Sequence, residues 1–492
     1  MTVEVRRPAL LTHAFWTLGE TGGLAEAWAA VRASGIDGRI DGLPGGLAEP
    51  RRDARPDRLV ILGALTAETG GAELHQALAY QTRDLIGLAV LRAPNRDDTG
   101  WRELSPTGPA GGDQRIGAAT VYLGLLPGAA GPAGPDAAAV LARALRPALP
   151  PPVDLDWERA ACGFRDGVTV WELPGGRTDR RLLVLAPESR EDALDRWSWS
   201  ADGPVLPPLT RYLAHAARIR YQQVVLHRDL PDLDRLLDDV AASSDALAAL
   251  LRDGPDTEAS TPELLRQADR LTEVRNRHAG LVDTLARART MTRTVRVAER
   301  NLAAALDPPR FAAPGGLLDA DRQVAESATE QLLAAETYLQ AELDRAGPLL
   351  ATARASLDER IRDRVDGRML VQTSLIGALL AVLAAVQSLG YRVGLARSLN
   401  APLIALVGAL VLWLPSAVLH WMPGARVPRG WRRLDRVFLA LACAAAGWFG
   451  TAAAVRYGGG QPAPPWASLA GAAGAAVAGL GVGHRLRRTG RS

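Results

Sequence analysis

Lysine is missing from this 492-residue chain, so all 57 basic side chains are arginine. That excludes a P-loop and a kinase ATP-binding site, whose lysines reach nucleotide phosphates, and with them Schiff-base and serine–lysine chemistry. Cysteine is nearly missing too. Cys162 and Cys443 are the only two, which leaves no disulfide framework and no CxxC spacing for a metal. No metal site and no cofactor are expected, and the part carrying Cys162 is expected in a reducing compartment. An excess of one charge is also lacking. The formal net charge of +3 argues against a nucleic-acid binder, which needs a strongly basic face. The opening "MTVEVRRPALLTHAFW" has no apolar core of signal-peptide length before a cleavage site, so the first domain is not expected to be exported.

What the chain does have is apolar length at its end. Four uncharged runs follow one another, 369–391, 401–421, 437–455 and 466–483. About 20 helical residues cross ~30 Å of hydrocarbon, so the region 368–492 is expected to be a four-helix transmembrane domain. Arginine placement sets its orientation. The link between the second and third runs holds Arg426, Arg429, Arg432, Arg433 and Arg436, and the tail holds Arg485, Arg487, Arg488 and Arg491. The links between the first two runs and between the last two are poorer, with Arg392, Arg397 and Arg456. Both termini are therefore expected in the cytoplasm of a multi-pass plasma-membrane protein. No ionisable residue sits centrally in the runs, so no proton or ion relay is read there. Gly471, Ala475, Gly479 and Gly483 recur every four residues in the last run. That spacing predicts a helix-packing face, since small residues let two backbones approach.

Two cytoplasmic regions precede the apolar one. Residues 1–205 read as an α+β domain. Runs of strand length occur at 9–16, 58–65, 85–92, 119–126, 168–173 and 181–187, and helical periodicity at 22–34 and 136–149. Stretches 38–56, 106–114 and 127–136 are Gly/Pro-rich and read as loops. Strand signals then stop. Residues 206–367 read as an all-α, coiled-coil-like region, with breaks expected at Pro231 and at 307–316 and a kink at Pro348. Thr261, Pro262 and Glu263 open one helix in the manner of a capped start. Its apolar stripe runs through Leu264, Ala268, Leu271, His278, Leu281, Leu285, Ala288, Val295, Ala298 and Leu302. Leu339, Leu343, Ala346, Leu350, Ala353 and Leu357 continue the pattern on the last helix. An intramolecular hairpin and a homo-oligomeric coiled coil fit this stripe equally.

One motif invites an enzymatic reading. His227-Arg228-Asp229-Leu230 spells a protein-kinase catalytic loop, but Asp234 stands where the metal-binding Asn belongs, no DFG follows and no lysine exists. The kinase reading fails. Cys162 in "RAACGFRDG" and the pair His13 and His75 are the remaining candidates for chemistry. A buried thiol and packed core histidines account for them as simply. No HExxH, GxSxG or paired zinc spacing occurs. The chain is therefore read as having no catalytic residues.

The segments "LLTHAFW", "LPPLTRYLAHAARIRYQ" (206–222) and "LDADRQVAESATEQLLAAETYL" (318–339) resemble the actinobacterial CATRA proteins, caspase- and TPR-repeat-associated membrane proteins of bacterial conflict systems. The resemblance implies a separately encoded caspase-like or TPR partner and brings no catalytic residues. The combined expectation is a non-enzymatic, membrane-anchored signalling or effector component in defence or cell death, with the lipid bilayer as a second partner and no nucleic acid. Two alternatives stay open: a channel- or transporter-like protein with a cytoplasmic helical regulator, and a hydrolase in residues 1–205.

Overall fold

The computed structural model describes residues 3–50, 59–69, 73–82, 85–94, 100–104, 115–128, 130–150, 157–199, 205–252, 260–392, 396–421, 431–459 and 461–489, and part of the side chains after 362 lie outside that description. The chain forms two compact units, Met1–Leu350 and Ala351–Ser492.

The first unit is built on one ten-stranded sheet. Its strands are β1 (Arg6–Thr17), β2 (Gly38–Arg39), β3 (Val60–Thr69), β4 (Glu73–Thr82), β5 (Leu85–Pro94), β6 (Gly117–Leu126), β7 (Ala161–Gly163), β8 (Thr169–Leu173), β9 (Asp179–Pro187) and β10 (Phe311–Ala312). The spatial order is β10-β7-β8-β9-β6-β1-β5-β4-β3-β2. Every pairing is antiparallel except β6 with β9. Central strands covered on both faces read as continuous apolar runs, which is why 9–16, 85–92 and 119–126 stood out in the sequence.

Helices lie on both faces. Side chains of a strand alternate between faces, and β1 shows the division. Leu10 packs with α2 (Pro135–Leu145) and Trp171, while Ala14 and Trp16 pack with α1 (Thr21–Ala33). Ala9, Leu11 and Phe15 face the opposite way. There they join α4 (Pro208–Arg252), α6 (Leu281–Ala303) and α7 (Leu317–Arg392) in the largest apolar cluster. Two further helices, α3 (Glu191–Ser198) and α5 (Ser260–Asn276), complete this unit. The α+β reading of the N-terminal region therefore holds, as a mixed sheet with helices followed by a helical region.

Several expectations are corrected. Strand β10 falls in the break read at 307–316 of the region expected to be all-α, where it pairs with β7 through Phe311↔Gly163 and Ala312↔Cys162. Two residues are too few to show a period. The break expected at Pro231 is absent, since α4 runs through it; α7 likewise continues through Pro348, where a kink rather than an end was expected. An interior proline costs about 3 kcal/mol, which burial of Leu226, Leu236 and Val240 around Pro231 offsets. The stripe read as one helix over 261–306 is two. α5 and α6 meet at a turn where Ala279 takes φ 57° and a Cβ on Gly280 would lie 2.5 Å from the Val274 carbonyl oxygen. His278 sits in that turn with its side chain 94% exposed, so it is not part of the buried stripe.

In the second unit, α8 (Arg397–Trp421), α9 (Trp431–Gly459) and α10 (Pro465–Thr489) follow α7. Two stretches among the described residues, Arg397–Leu414 and Arg436–Gly459, are long and apolar enough to cross a membrane, not the four expected. The runs 369–391 and 466–483 are helical but fall partly on side chains outside the description, and the last is diluted by alanine and glycine.

Candidate functional site

The most heavily engineered place in the first unit is a polar cluster inside the apolar boundary between the sheet and its helical layer. Arg180 opens β9, and strand alternation puts it on the same face as Leu182 and Val184, which are core residues. Its guanidinium donates from Nε and Nη2 to Glu172 Oε1 and Oε2 of β8 at 2.8 and 2.9 Å, and from Nη1 to Asp321 Oδ2 of α7 at 2.9 Å. Arg220 of α4 donates from Nε and Nη2 to Asp321 Oδ1 at 2.9 and 2.7 Å. Tyr212 of α4 donates its hydroxyl to Asp321 Oδ2 at 2.5 Å. The Asp321 side chain is 1% exposed and that of Arg180 3%. Two cations thus face two carboxylates, and both Asp321 oxygens are fully occupied.

The helices reach this depth because the sheet lets them. Gly117 on β6 has no side chain, and a Cβ there would lie 2.9 Å from that of Ala217 on α4. Ala214, Ala216 and Ala217 are all buried, so α4 lies close on the strand with Tyr212 and Arg220 projecting toward Asp321.

Electrostatics hold the cluster ionised. Burial alone would raise the Asp321 pKa, but Arg180, then Arg220 and the Tyr212 hydroxyl, outweigh it and keep the carboxyl below its usual range. Arg180 loses from burial and gains more from Asp321 and Glu172, so its pKa is raised. Tyr212 is pushed well up by burial and then by the neighbouring Asp321 charge, and it stays a donor. Satisfied buried ion networks seldom add net stability over apolar packing, yet removing one member costs about 3–5 kcal/mol. Such a cluster fixes which residue of α7 meets which residue of the sheet.

A second feature is a cleft of about 200 Å³ between α4, α6 and α7. Leu226, Leu230, Leu236, Met291, Leu332 and Leu339 line it, and Arg228, Asp229 and Arg287 stand at its rim. The kinase-like motif lies here on a continuous helix. Asp229 accepts from Arg228 Nε at 2.9 Å and lies 4.0 Å from Arg287, while His227 bonds the Gln223 carbonyl of its own helix at 2.7 Å. These are local pairs on a helix surface, where an ion pair contributes about 0.5 kcal/mol.

The other candidates for chemistry are inaccessible or apart. Cys162 is buried, and burial raises its pKa, so the thiolate is disfavoured at neutral pH. His13 is 2% exposed between Ala89 and Ala119 of its neighbouring strands and stacks on Phe15 at 6.0 Å. Burial takes its pKa down to about 3, so it is neutral. His75 lies three strand positions away from it on β4. Among the described residues no group of three His, Cys, Asp or Glu could hold a metal.

In the second unit, Gly471 and Ala475 of α10 meet α9 closely. A Cβ on Gly447 would lie 2.4 Å from the Gly471 carbonyl oxygen and 2.5 Å from Ala475 Cβ. Of Gly479 and Gly483 only the helical backbone is described, as for Arg432, Arg433, Arg485, Arg487 and Arg488. Arg436 is described in α9, and Arg426 and Arg429 lie outside the described residues.

Sequence reading missed the Arg180 cluster. Its signals are faint, namely an arginine at an inward strand position and three members, Tyr212, Arg220 and Asp321, inside the very segments that carry the family resemblance.

Comparison with known families agrees with those segments. Residues 9–202 match the family model described as the CASPASE and TPR Repeat-Associated N-terminal domain, CATRA-N. Residues 207–346 match that of the corresponding C-terminal domain, CATRA-C. No curated protein matches the chain.

Proposed function

The chain carries a CATRA-N domain followed by a CATRA-C domain, and from this premise we propose that it is a non-enzymatic, membrane-anchored component of a bacterial conflict system. It works with a separately encoded caspase-like or TPR-repeat protein, in defence or cell death. The observation that carries the reading is the domain pair itself, since both domains are associated with caspases and TPR repeats. The Arg180 cluster supports a scaffold role. It ties the two domains together at Asp321.

Two helices of membrane length support anchoring in the plasma membrane. Arginine placement supports the orientation. The positive-inside preference puts the link bearing Arg426, Arg429, Arg432 and Arg433 and the tail bearing Arg485, Arg487 and Arg488 on the cytoplasmic side together. That requires the weaker apolar runs 369–391 and 466–483 to cross as well. Both termini are then cytoplasmic. Reporter fusions placed after residue 426 and at the C-terminus test this, and both should report cytoplasm. An external link would leave two crossings and remove the arginine argument.

The partner is tested by affinity capture of the full-length protein with a caspase-like or TPR protein encoded beside it. Specific co-purification that survives washing supports the reading. Independent purification of the two, with no effect of either on the other's stability or activity, would retire it.

A further inference from the structure

α6 carries a second stripe besides its buried one. Arg289, Arg293, Arg296 and Arg300 are all exposed, and at 100° per residue they fall within an arc of about 60° on one flank of the helix. Among the described residues, Arg289 alone of the four meets a carboxylate, Glu336 of α7 at 3.9 Å. The ladder extends about 16 Å along the axis. α4, which packs beside α6, presents the opposite sign. Asp234, Asp238 and Asp245 are exposed and share an arc of about 40° on its outer face. Asp245 also pairs with Arg345 of its own chain.

The two ladders have the same pitch. The arginines step by four, three and four, and the aspartates by four and seven, with Ala241 at the position between. We propose that these faces bind each other between two copies of the chain, the arginine ladder of α6 in one copy lying along the aspartate ladder of α4 in the other. Because α4 and α6 are neighbours within one copy, a two-fold arrangement makes both contacts at once, as closed dimers do. Guanidinium forks suit carboxylates in such a row. An anionic lipid surface fits less well, since the aspartates of the adjacent helix would be repelled by it.

The test uses full-length protein in neutral detergent micelles, with its mass followed by sedimentation velocity across protein and salt concentration. One variant carries Arg293→Glu, Arg296→Glu and Arg300→Glu, and a second carries Asp234→Arg and Asp238→Arg. All five sites are exposed, and circular dichroism melting checks that each variant folds. Several exposed pairs lost and reversed together should weaken self-association of either variant at least about tenfold. Wild-type association should also weaken at 1 M salt, where the Debye length is about 3 Å. An equimolar mixture of the two variants should associate again, because each reversed ladder then meets a reversed partner. A monomeric wild type, wild-type affinity in either variant, or a mixture that stays dissociated would each overturn the proposal. So would loss of binding to anionic vesicles in the arginine variant with self-association unchanged.

Discussion

The two units of this chain place their apolar side chains in opposite ways. In the first, large residues are inside. Trp101, Trp171, Phe15 and Tyr212 are among its most deeply buried side chains, and charge enters the interior in pairs, in the Arg180 cluster and at Glu158 beside Arg146. In the second, many large residues are outside, although Leu357 and Leu399 are buried. Leu414, Leu469 and Val477 are 59, 70 and 71% exposed, while Ala442, Ala445 and Ala452 are buried and Gly447 touches Gly471. Large outside and small inside is the packing of helices whose solvent is lipid, where close backbone approach replaces the hydrophobic effect. That pattern supports the membrane anchoring proposed above for the second unit.

The comparison is broken most severely at Asp321. In the full-length protein Asp321→Ala leaves Arg180 buried without one of its two carboxylates, and it should lower unfolding free energy by about 3–5 kcal/mol. Tryptophan fluorescence during urea unfolding checks it, since the first unit holds its indoles in the core. Loss below about 1 kcal/mol would show that the cluster is not the fixed joint its geometry describes. Asp321→Asn keeps the shape without the charge, and separates the ionic part from the packing.

A second contrast is in titration. His13 has its folded pKa depressed to about 3 against about 6.5 when unfolded. The unfolded state therefore takes up the proton first, and stability falls as pH drops below about 6.5, by up to 1.4 kcal/mol per unit, until about pH 3. Asp321 behaves differently. Its folded pKa lies below the ordinary carboxylate value, so its contribution is kept at pH 5 and lost only as pH falls through the folded value. Urea unfolding of wild type and His13→Leu at pH 6.5 and 4.5 should give a shallower pH slope in the variant, by roughly 2 kcal/mol over the interval. Equal slopes would mean that His13 is not held neutral. In the second unit the equivalent disturbance is steric. Gly447→Ala places a Cβ against the Gly471 carbonyl oxygen and should cost roughly 1–3 kcal/mol by overpacking, read as loss of a disulfide cross-link engineered between α9 and α10.

How much of this the sequence disclosed depends on how far apart the contributing residues lie. β1 was legible because both its faces are buried, so 9–16 is apolar except for Thr12 and His13. β4 was not, since "ELHQALAYQT" mixes Glu73, His75, Gln76 and Gln81 into its run. β7 and β10 are too short to carry a period, and β10 pairs across about 150 residues of chain. The helix α4 was read as broken at Pro231 because a proline is locally unfavourable, while the packing that overrides it is distant. The Arg180 cluster is the extreme case. Each residue is ordinary alone, and only the meeting of positions 172, 180, 212, 220 and 321 gives it meaning. The small-residue spacing at Gly471 and Ala475, by contrast, lies within one helix and could be seen.

The smallest expected effect is at the motif that looked most like chemistry. Asp229 is paired at 2.9 Å with the neighbouring Arg228, whose side chain is 71% exposed, on a helix that runs straight through the motif. A catalytic aspartate is held by its fold so that its carboxylate meets a substrate hydroxyl, whereas this one meets arginines of its own helix layer. Asp229→Asn should therefore change unfolding free energy by no more than about 0.5 kcal/mol and leave partner capture unaltered. The contrast with Asp321→Ala is the point of measuring both. One aspartate sits at the rim of a cleft with water as an alternative partner, and the other is enclosed by two guanidinium groups and a phenol. If Asp229→Asn proved as damaging as Asp321→Ala, burial would not be what separates them, and the cleft beside α4 would have to be holding something that the Asp229 charge binds.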